Sequence, residues 1–544
     1  MISVLVSRRV ACLSEGSLRA TGLAAVAASV TLACTSDGGH GGATPANGSG
    51  GMSADASMSD VGDTTGGGGS TGGSGGAAGS SGGAATAGAD AGLAGATSLP
   101  PLPAYDGGMR GCDPMRVAVA HHEGGAALAP QPASAPHTCY YDVGDGAMDP
   151  QIVVHPSGNL FFAPVAGTLG VSRSKDDGMT WSAALTPDPP MGSWVHPWVY
   201  VDDATGRLFF NVYNLPDGSC PDKGGGAQLW FSDDLGATWE NHVVGCDSRD
   251  YGKLIAGPPV TDASKALLAK NGYASMLYYC AEGPTAISGP DRFCYRSVDG
   301  GKTFTRTESD AFDKTRDHTN GFPLAGAVAK DGTIYTCMTS ENGLAVSMSK
   351  DEGASWNVVT VPGSLAGQTQ AVIGDVFLSN NVATDAESSV YAAWIDESDK
   401  LPHLAASKDH GATWSKPVVM AAPGVKYAKY VNLKVSEPGY VAVEYWGSGD
   451  AMGLPNSDGY LVIDGRRYDG YLSVVTDVFA TDATVWSARV SAVDGPLAPK
   501  GIAYYVGEYL GTPAFAKDGS IWAAFSQHIG SPTTFAVRMD APPR

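Results

Sequence analysis

The sequence predicts an all-β fold assembled from one repeated unit, and three observations predict it. A short pattern, Ser-x-Asp-x-Gly-x-(Thr/Ser)-(Trp/Phe), occurs five times: SKDDGMTW at 174–181, SDDLGATW at 232–239, SVDGGKTF at 297–304, SKDEGASW at 349–356 and SKDHGATW at 407–414. Successive copies start 58, 65, 52 and 58 residues apart, the rhythm of one supersecondary unit per copy. Between them the chain alternates apolar and small residues and reverses at Gly or Asp-Gly, as strands joined by hairpins do.

Each copy reads as a hairpin corner. Its Asp accepts hydrogen bonds from amides further along, its Gly supplies the backbone angles of a tight turn, and the hydroxyls complete the local bonding. The closing Trp or Phe buries a large ring between neighbouring sheets. In the second copy Asp233 and Trp239 are the residues expected to matter for stability. A self-bonded turn accounts for these Asp, Ser and Thr residues without a metal, and nothing in the chain calls for a cofactor.

The hairpins begin, in order, near Gln151 (QIVVHPSGNLFFA), His196 (HPWVYVDDATGRLFFNVY), Leu254 (LIAGPPV, then YASMLYYCA), Gly321 (GFPLAGAVAKDGTIYTCM) and Ala371 (AVIGDVFLSNN, then SSVYAAWID). Two more, near Tyr430 (YVNLKVSEPGYVAVEYW) and at Glu508 (EYLGTPAFAKDGSIWAAFS), lack a good copy, although VVTDVFATDATVW, ending at Trp486, keeps a degenerate echo. That makes seven units of roughly 60 residues. The run MRVAVAHH from Met115 is expected beside FAVRMD as the outer strand of the last unit, so that no sheet edge stays open.

The pattern resembles the Asp-box of sialidase-type β-propellers, also called the BNR repeat, over residues 113–544. The resemblance implies a seven-bladed β-propeller, alternatively six-bladed because sialidases usually have six, and it places the ligand face opposite the boxes. It implies carbohydrate as the ligand without fixing an activity. Asp-boxes occur in sialidases, xyloglucan hydrolases, arabinanases, polysaccharide lyases and non-enzymatic receptors alike.

Residues 1–34 read as a signal peptide: Arg8, Arg9 and Arg19 precede an apolar stretch of 14 residues from Ala20 to Ala33, too short to span a bilayer. Thr31-Leu32-Ala33-Cys34 resembles a bacterial lipobox, which implies lipidation of Cys34. The family usually has Leu at the Thr31 position, and ordinary cleavage is the alternative. From Gly38 to about Ser98 the chain is almost wholly Gly, Ser, Ala and Thr, which cannot bury enough apolar surface to fold, and residues 35–110 read as a disordered tether. Its root-mean-square reach is on the order of 50 Å, enough to hold a domain off an outer membrane.

With 34 basic and 55 acidic residues the net charge is −21, which argues against nucleic acid and against docking on anionic lipid through a basic patch. The membrane enters only through a lipid anchor. Of the nine cysteines, spacing suggests the pairs Cys112 with Cys139, Cys220 with Cys246 and Cys280 with Cys294. Cys337, in the apolar TIYTCM, remains as a buried thiol.

Polar and aromatic residues gather where the inner strands begin and where the second strands end. Candidate ligand contacts are His196, Arg249, Tyr251, Arg316, His318, Asn320, Tyr430, Asn432, Trp446 and Tyr509, joined by Asp149 and Lys253. Candidate catalytic carboxylates are Asp250, Asp317, Asp396, Glu397 and Glu508. A sugar site needs aromatic faces against ring carbons, amides and carboxylates against hydroxyls, and for hydrolysis two acids roughly 5 to 9.5 Å apart. Two function classes stay open: a glycoside hydrolase, and a non-catalytic glycan- or protein-binding module in which the carboxylates are scattered.

Sialidases grip the substrate carboxylate with three arginines, the first in an Arg-x-Pro motif on the first inner strand. Here that strand reads MDPQIVVHP, with Asp149 and Pro150 but no arginine, and only Arg249 and Arg316 stand at inner-strand starts. Losing a charge-assisted clamp costs several kcal/mol of transition-state binding. Purified residues 99–544 are therefore expected to leave a fluorogenic sialoside uncleaved; cleavage that disappears in Arg249→Ala or Arg316→Ala would show that a third arginine reaches the site from elsewhere.

Overall fold

The computed structural model describes residues 112–544 apart from 146–148, 166–169, 186–193, 215–225, 247–251, 283–291, 320–325, 366–379, 452, 454–462, 492–494, 502, 505–510 and 528–532. Five four-stranded antiparallel sheets follow one another in chain order, and two five-stranded sheets complete a seven-bladed propeller. The innermost strands are Gln151–Val154, Trp194–Val201, Lys253–Gly257, Gly326–Val328, Asn380–Thr384, Tyr427–Glu437 and Ala514–Phe515. Each touches the next, and the last returns to the first. The fifth begins at Asn380, later than the AVIGDVFL stretch, which lies outside the described residues; the sixth begins three residues before Tyr430.

The ring closes differently from the sequence-based expectation. The run from Met115 does not lie beside FAVRMD. It divides between Cys112–Val117 and Val119–His122, and the outer neighbour of Thr533–Met539 is a later segment, His137–Asp145. Cys112–Val117 pairs outside His137–Asp145, while Val119–His122 becomes the fifth strand of blade six, against Thr484–Arg489. The reason lies in the pleat. Thr138, Cys139 and Tyr141 are buried in HTCYYDV, whereas Val119, Ala120 and His121 find their cover on blade six.

The core is distributed over the seams. Separate apolar clusters fill the gaps between blades seven and one, one and two, two and three, four and five, five and six, and six and seven; a smaller one around Ala311, Phe312, Met338 and Ala345 serves blades three and four. Every box aromatic, Trp181, Trp239, Phe304, Trp356 and Trp414, packs on the seam with the preceding blade.

All five boxes form the same bonded turn. In the first, Ser174 Oγ donates to Asp176 at 2.8 Å and accepts from the Gly178 amide at 2.9 Å. Asp176 also takes the Thr180 amide and hydroxyl at 2.9 and 2.6 Å. The glycine sits at φ 83° after a residue that is itself left-handed, Asp177 at φ 54°. In the second copy the acceptor is Asp234 rather than Asp233. Thr238's hydroxyl and amide draw the Asp234 carboxyl down to about 2, whereas Asp233 faces outward to Arg207, which grips both its oxygens at 2.7 and 2.6 Å. The degenerate echo occupies the equivalent corner of blade six, between Asp469–Val475 and Thr484–Arg489, where the Asp477 carboxylate takes the Phe479 amide and its carbonyl takes the Ala480 amide.

Cys280 and Cys294 form a disulfide across adjacent strands. Cys139 and Cys246 are disulfide-bonded, and the backbone register sets Cys112 opposite Cys139; Cys220 lies outside the described residues. Cys337 is a buried thiol pushed up to about 12 by burial.

Closure on blade six buries a histidine. His121 Nε2 lies 2.6 Å from Ser487 Oγ, which lies 2.7 Å from Ser473 Oγ. Burial, reinforced by His122, lowers the His121 pKa from 6.5 to about 4. The folded state therefore holds the neutral ring while the unfolded chain takes up a proton, so this stability is complete above pH 6.5 and drains away as pH falls towards 4. The difference corresponds to roughly 3 kcal/mol. Denaturant unfolding of the parent between pH 7 and 4 is expected to show that extra acid loss relative to His121→Gln; parallel pH profiles would remove His121 as its source.

Candidate functional site

Strand direction decides which face carries the site. Within each blade the first and third strands run one way and the second and fourth the other, and the boxes join third to fourth. Innermost strands consequently begin on the box-free face, where second strands also end. Loops grouped on one face of a rigid ring are the usual place for ligand contacts.

Backbone conformation picks out four positions there. Among the described residues ten non-glycine residues have positive φ. Asp177, Leu235, Glu352 and His410 belong to boxes, and Glu123 and Ser388 lie in other connections. On the box-free face Lys400 at φ 63° lies in the second-to-third-strand turn of blade five, and Asp149 at φ 62°, His318 at φ 53° and Tyr430 at φ 56° stand at or before inner strands. Such backbone costs about 1–3 kcal/mol per residue and clusters at functional sites. Tyr430 occupies a bulge where the register between Tyr427–Glu437 and Tyr440–Ser448 slips.

Blade six brings the densest group together. The Tyr430 ring meets Trp446 edge-on at 5.5 Å, and Trp446 meets Tyr468 at 5.9 Å. Asn432 accepts from the Asn381 amide of blade five at 2.9 Å. Directly across from Asn432 on the neighbouring strand is Glu444, fully buried. Neither of its carboxylate oxygens makes a well-formed hydrogen bond among the described residues. Burial raises its pKa well above the usual carboxylate range, against a minor downward pull from the Ala524 amide. Lys429 Nζ lies 5.9 Å from the Tyr427 ring centre, and the Arg466 guanidinium covers that ring at 3.6 Å.

The other candidates are spread around the ring. Arg316 and Asp317 hold each other through two bonds of 2.8 and 2.6 Å, and Asp317 also accepts the Asp313 amide. His318 stands exposed with Glu341, 3.8 Å away. Asp396 is buried and its oxygens take the Leu365 amide, the Trp394 indole and Ser398; those bonds outweigh the burial that would raise its pKa, leaving it lowered. Glu397 is half-buried beside it. Lys253 opens the third inner strand with its ammonium 4.5 Å over the Trp198 ring. Arg249, Asp250, Tyr251, Asn320, Glu508 and Tyr509 lie outside the described residues, and of His196 only the backbone is described, in Trp194–Val201.

Asp396, Asp399 and His403 form the one group of three potential metal donors among the described residues, with donor atoms within 4.8 Å of one another. A bonded turn accounts for it: Asp396 is saturated as above, and both Asp399 oxygens face His403 Nε2 at 3.2 and 3.0 Å.

The five equivalent boxes and the closed ring of seven blades decide the architecture. The fold is a seven-bladed β-propeller with Asp-box corners. No family model matches the chain. A xyloglucanase from Paenibacillus sp is 25% identical over 267 residues, 45% of this chain and 23% of that enzyme. Among solved structures, a Hadza microbial sialidase overlays with a TM-score of 0.38 at 18% identity, covering 64% of this chain and 68% of that one. An α-L-arabinanase of Penicillium chrysogenum gives 0.37 at 14% identity over 64% and 98%, and an ulvan lyase of polysaccharide lyase family PL25 gives 0.39 at 11% over 72% and 94%. These are likenesses of fold.

Sequence reasoning singled out Tyr430, Asn432 and Trp446, which the propeller assembles, and missed Glu444, Lys429, Arg466 and Asn381 around them. The signal for Glu444 was present: in VAVEYW it shares a pleat face with Ala442 and Trp446, where an ionisable residue has no solvent to meet. Because its folded pKa is raised, Glu444 contributes most stability below about pH 4.5 and loses it as pH rises through the folded value. A Glu444→Met variant is expected to gain about 1–3 kcal/mol over the parent at pH 8 and nothing at pH 4. Equal unfolding free energies at both pH values would mean the carboxyl is satisfied.

Proposed function

We propose that this chain is an exported, lipid-anchored propeller that binds a polysaccharide on its box-free face at blade six and hydrolyses a glycosidic bond there. The observation that carries the reading is the convergence of a strained tyrosine, Tyr430, with Trp446, the Asn381–Asn432 amide pair and a buried carboxyl, Glu444. These side chains are buried, so they form the rigid backing of the box-free end, and fixed polar groups beside aromatic rings suit a saccharide site. Similarity over part of the chain to a xyloglucanase supports carbohydrate as the ligand class. On this reading Cys34 carries the lipid and residues 35–110 hold the propeller away from the membrane.

A second reading has its own support. Asp317 and Asp396, two of the carboxylates best placed by sequence to act as acids, are engaged in internal bonds, as a glycan-binding module without catalysis would have them. A glycan array followed by reducing-end assays on the hits separates the two. New reducing ends that fall at least tenfold in Tyr430→Phe, with an unchanged melting curve, are expected for the hydrolase; binding without product supports the module; failure to bind any glycan overturns both. Labelling with a palmitate analogue, present in the parent and absent in Cys34→Ser, tests the anchor.

A further inference from the structure

The rings at the box-free end of blade six are buried because two short segments that belong to no blade lie over them. One is 463–468, in the loop between the second and third strands of blade six; the other is 495–501, in the connection from blade six to blade seven. Tyr468, Leu497 and Ala498 join the same apolar cluster as Tyr427, Tyr430 and Trp446. The Trp446 and Tyr468 ring centres are 5.9 Å apart, and the Arg466 guanidinium lies 3.6 Å from the centre of the Tyr427 ring. Beneath this cover are groups that a permanent core rarely keeps. Tyr430 stands at φ 56°, Asn381 and Asn432 bond each other, and neither oxygen of the fully buried Glu444 carboxyl makes a well-formed hydrogen bond among the described residues. Buried polar groups are ordinarily satisfied.

The two segments meet along a narrow seam. Ile463–Asp464 pairs with Ala503–Tyr504 in a two-stranded sheet separate from the blades. The Gly501 amide donates to the Gly465 carbonyl at 2.9 Å, and Tyr468 and Ala498 exchange backbone bonds of 2.9 and 3.2 Å. Gly465 and Gly501 hold φ 86° and 84°, angles at which glycine turns freely. On the outside, Lys500 reaches Asp450 at 2.9 Å, and the other Asp450 oxygen takes the Arg467 amide at 3.3 Å. The Lys500 side chain is 72% exposed, and an ion pair so open to solvent adds little stability. Two-stranded ladders are marginal alone, and moving elements are drawn from such weakly held segments.

We propose that segments 463–468 and 495–501 are the two jaws of a lid, which parts along this seam to admit a sugar chain to Tyr430, Asn432 and Trp446 and closes over it. The inference rests on the carbohydrate-binding reading above and adds the gate to that same place. The first jaw stays with blade six, where Tyr468 leads directly into Asp469–Val475. The second swings with the connection to blade seven and carries Ala503–Tyr504 with it, so that the ladder, the Gly465–Gly501 bond and the Tyr468–Ala498 bridge break together. Closure over a bound sugar keeps water from the rings and the amide pair.

Hydrogen exchange of the intact protein, read by mass spectrometry on peptides spanning 463–468 and 495–501, tests the motion. Their amides are expected to exchange roughly 100-fold faster than those of Tyr440–Ser448, and several-fold faster again in Lys500→Gln. Asp464 and Ala503 stand directly opposite each other in the ladder, a placement that suits a disulfide. The oxidised double variant Asp464→Cys, Ala503→Cys is expected to slow that exchange and to weaken binding to the parent's hits on the glycan array, each roughly tenfold. Both effects should reverse in a reductant that leaves the parent's binding unchanged. Jaw amides as slow as those of Tyr440–Ser448, or undiminished glycan binding by the oxidised variant, overturn the lid and leave the carbohydrate reading standing. Fast jaw exchange in a parent that binds no glycan on the array overturns the carbohydrate reading, and the gating role falls with it.

Discussion

A ring of sheets has no stable partial form in which its last blade is finished, so closure governs this fold. Blade seven takes three strands from the C-terminal end and two from the N-terminal end of the described chain, and blade six borrows Val119–His122 from the same N-terminal stretch. Two neighbouring blades are thus locked by one segment. The seam between them is an extensive apolar cluster rich in aromatic rings, and the candidate site stands on its box-free end. Rigidity at that seam is what allows Tyr430 to be held in a conformation that an isolated strand would relax.

The architecture was legible because its signal is local. Each box satisfies its own donors within eight residues, so the same eight letters recur wherever the corner recurs, and the spacing then counts blades. Closure was less legible. Whether MRVAVAHH or HTCYYDV lies beside the last strand depends on which pleat face meets which seam, and both runs alternate acceptably on their own. The neighbouring Asp233 and Asp234 illustrate the same limit at one corner: only the position two after the serine can reach the turn amides, and its neighbour is left to pair outward with Arg207.

The site was legible in part, for a related reason. Tyr430, Asn432 and Trp446 stand where an inner strand starts or a second strand ends, which sequence order alone indicates. Glu444 and Lys429 sit inside strands, and whether a charged residue there faces solvent or a seam is decided by a bulge that shifts the register between Lys429 and Asn432. The two titrating groups of blade six also pull in opposite directions. His121 is held neutral by burial and resists acid poorly, while Glu444 is held neutral by burial and resists alkali poorly, so a single blade sets both flanks of the pH range in which the ring is most stable.

The pairing of His137–Asp145 with Thr533–Met539 has a consequence for how the chain matures. Thr534 bonds Gly144 across 390 residues of sequence, among the most distant contacts a domain of this size can make. During synthesis the early strands emerge first and wait with open edges until nearly the whole chain has followed. Their companions in the meantime are blades one to five, which can each form from contiguous sequence. Assembly is therefore vectorial for most of the ring and simultaneous only at its final join.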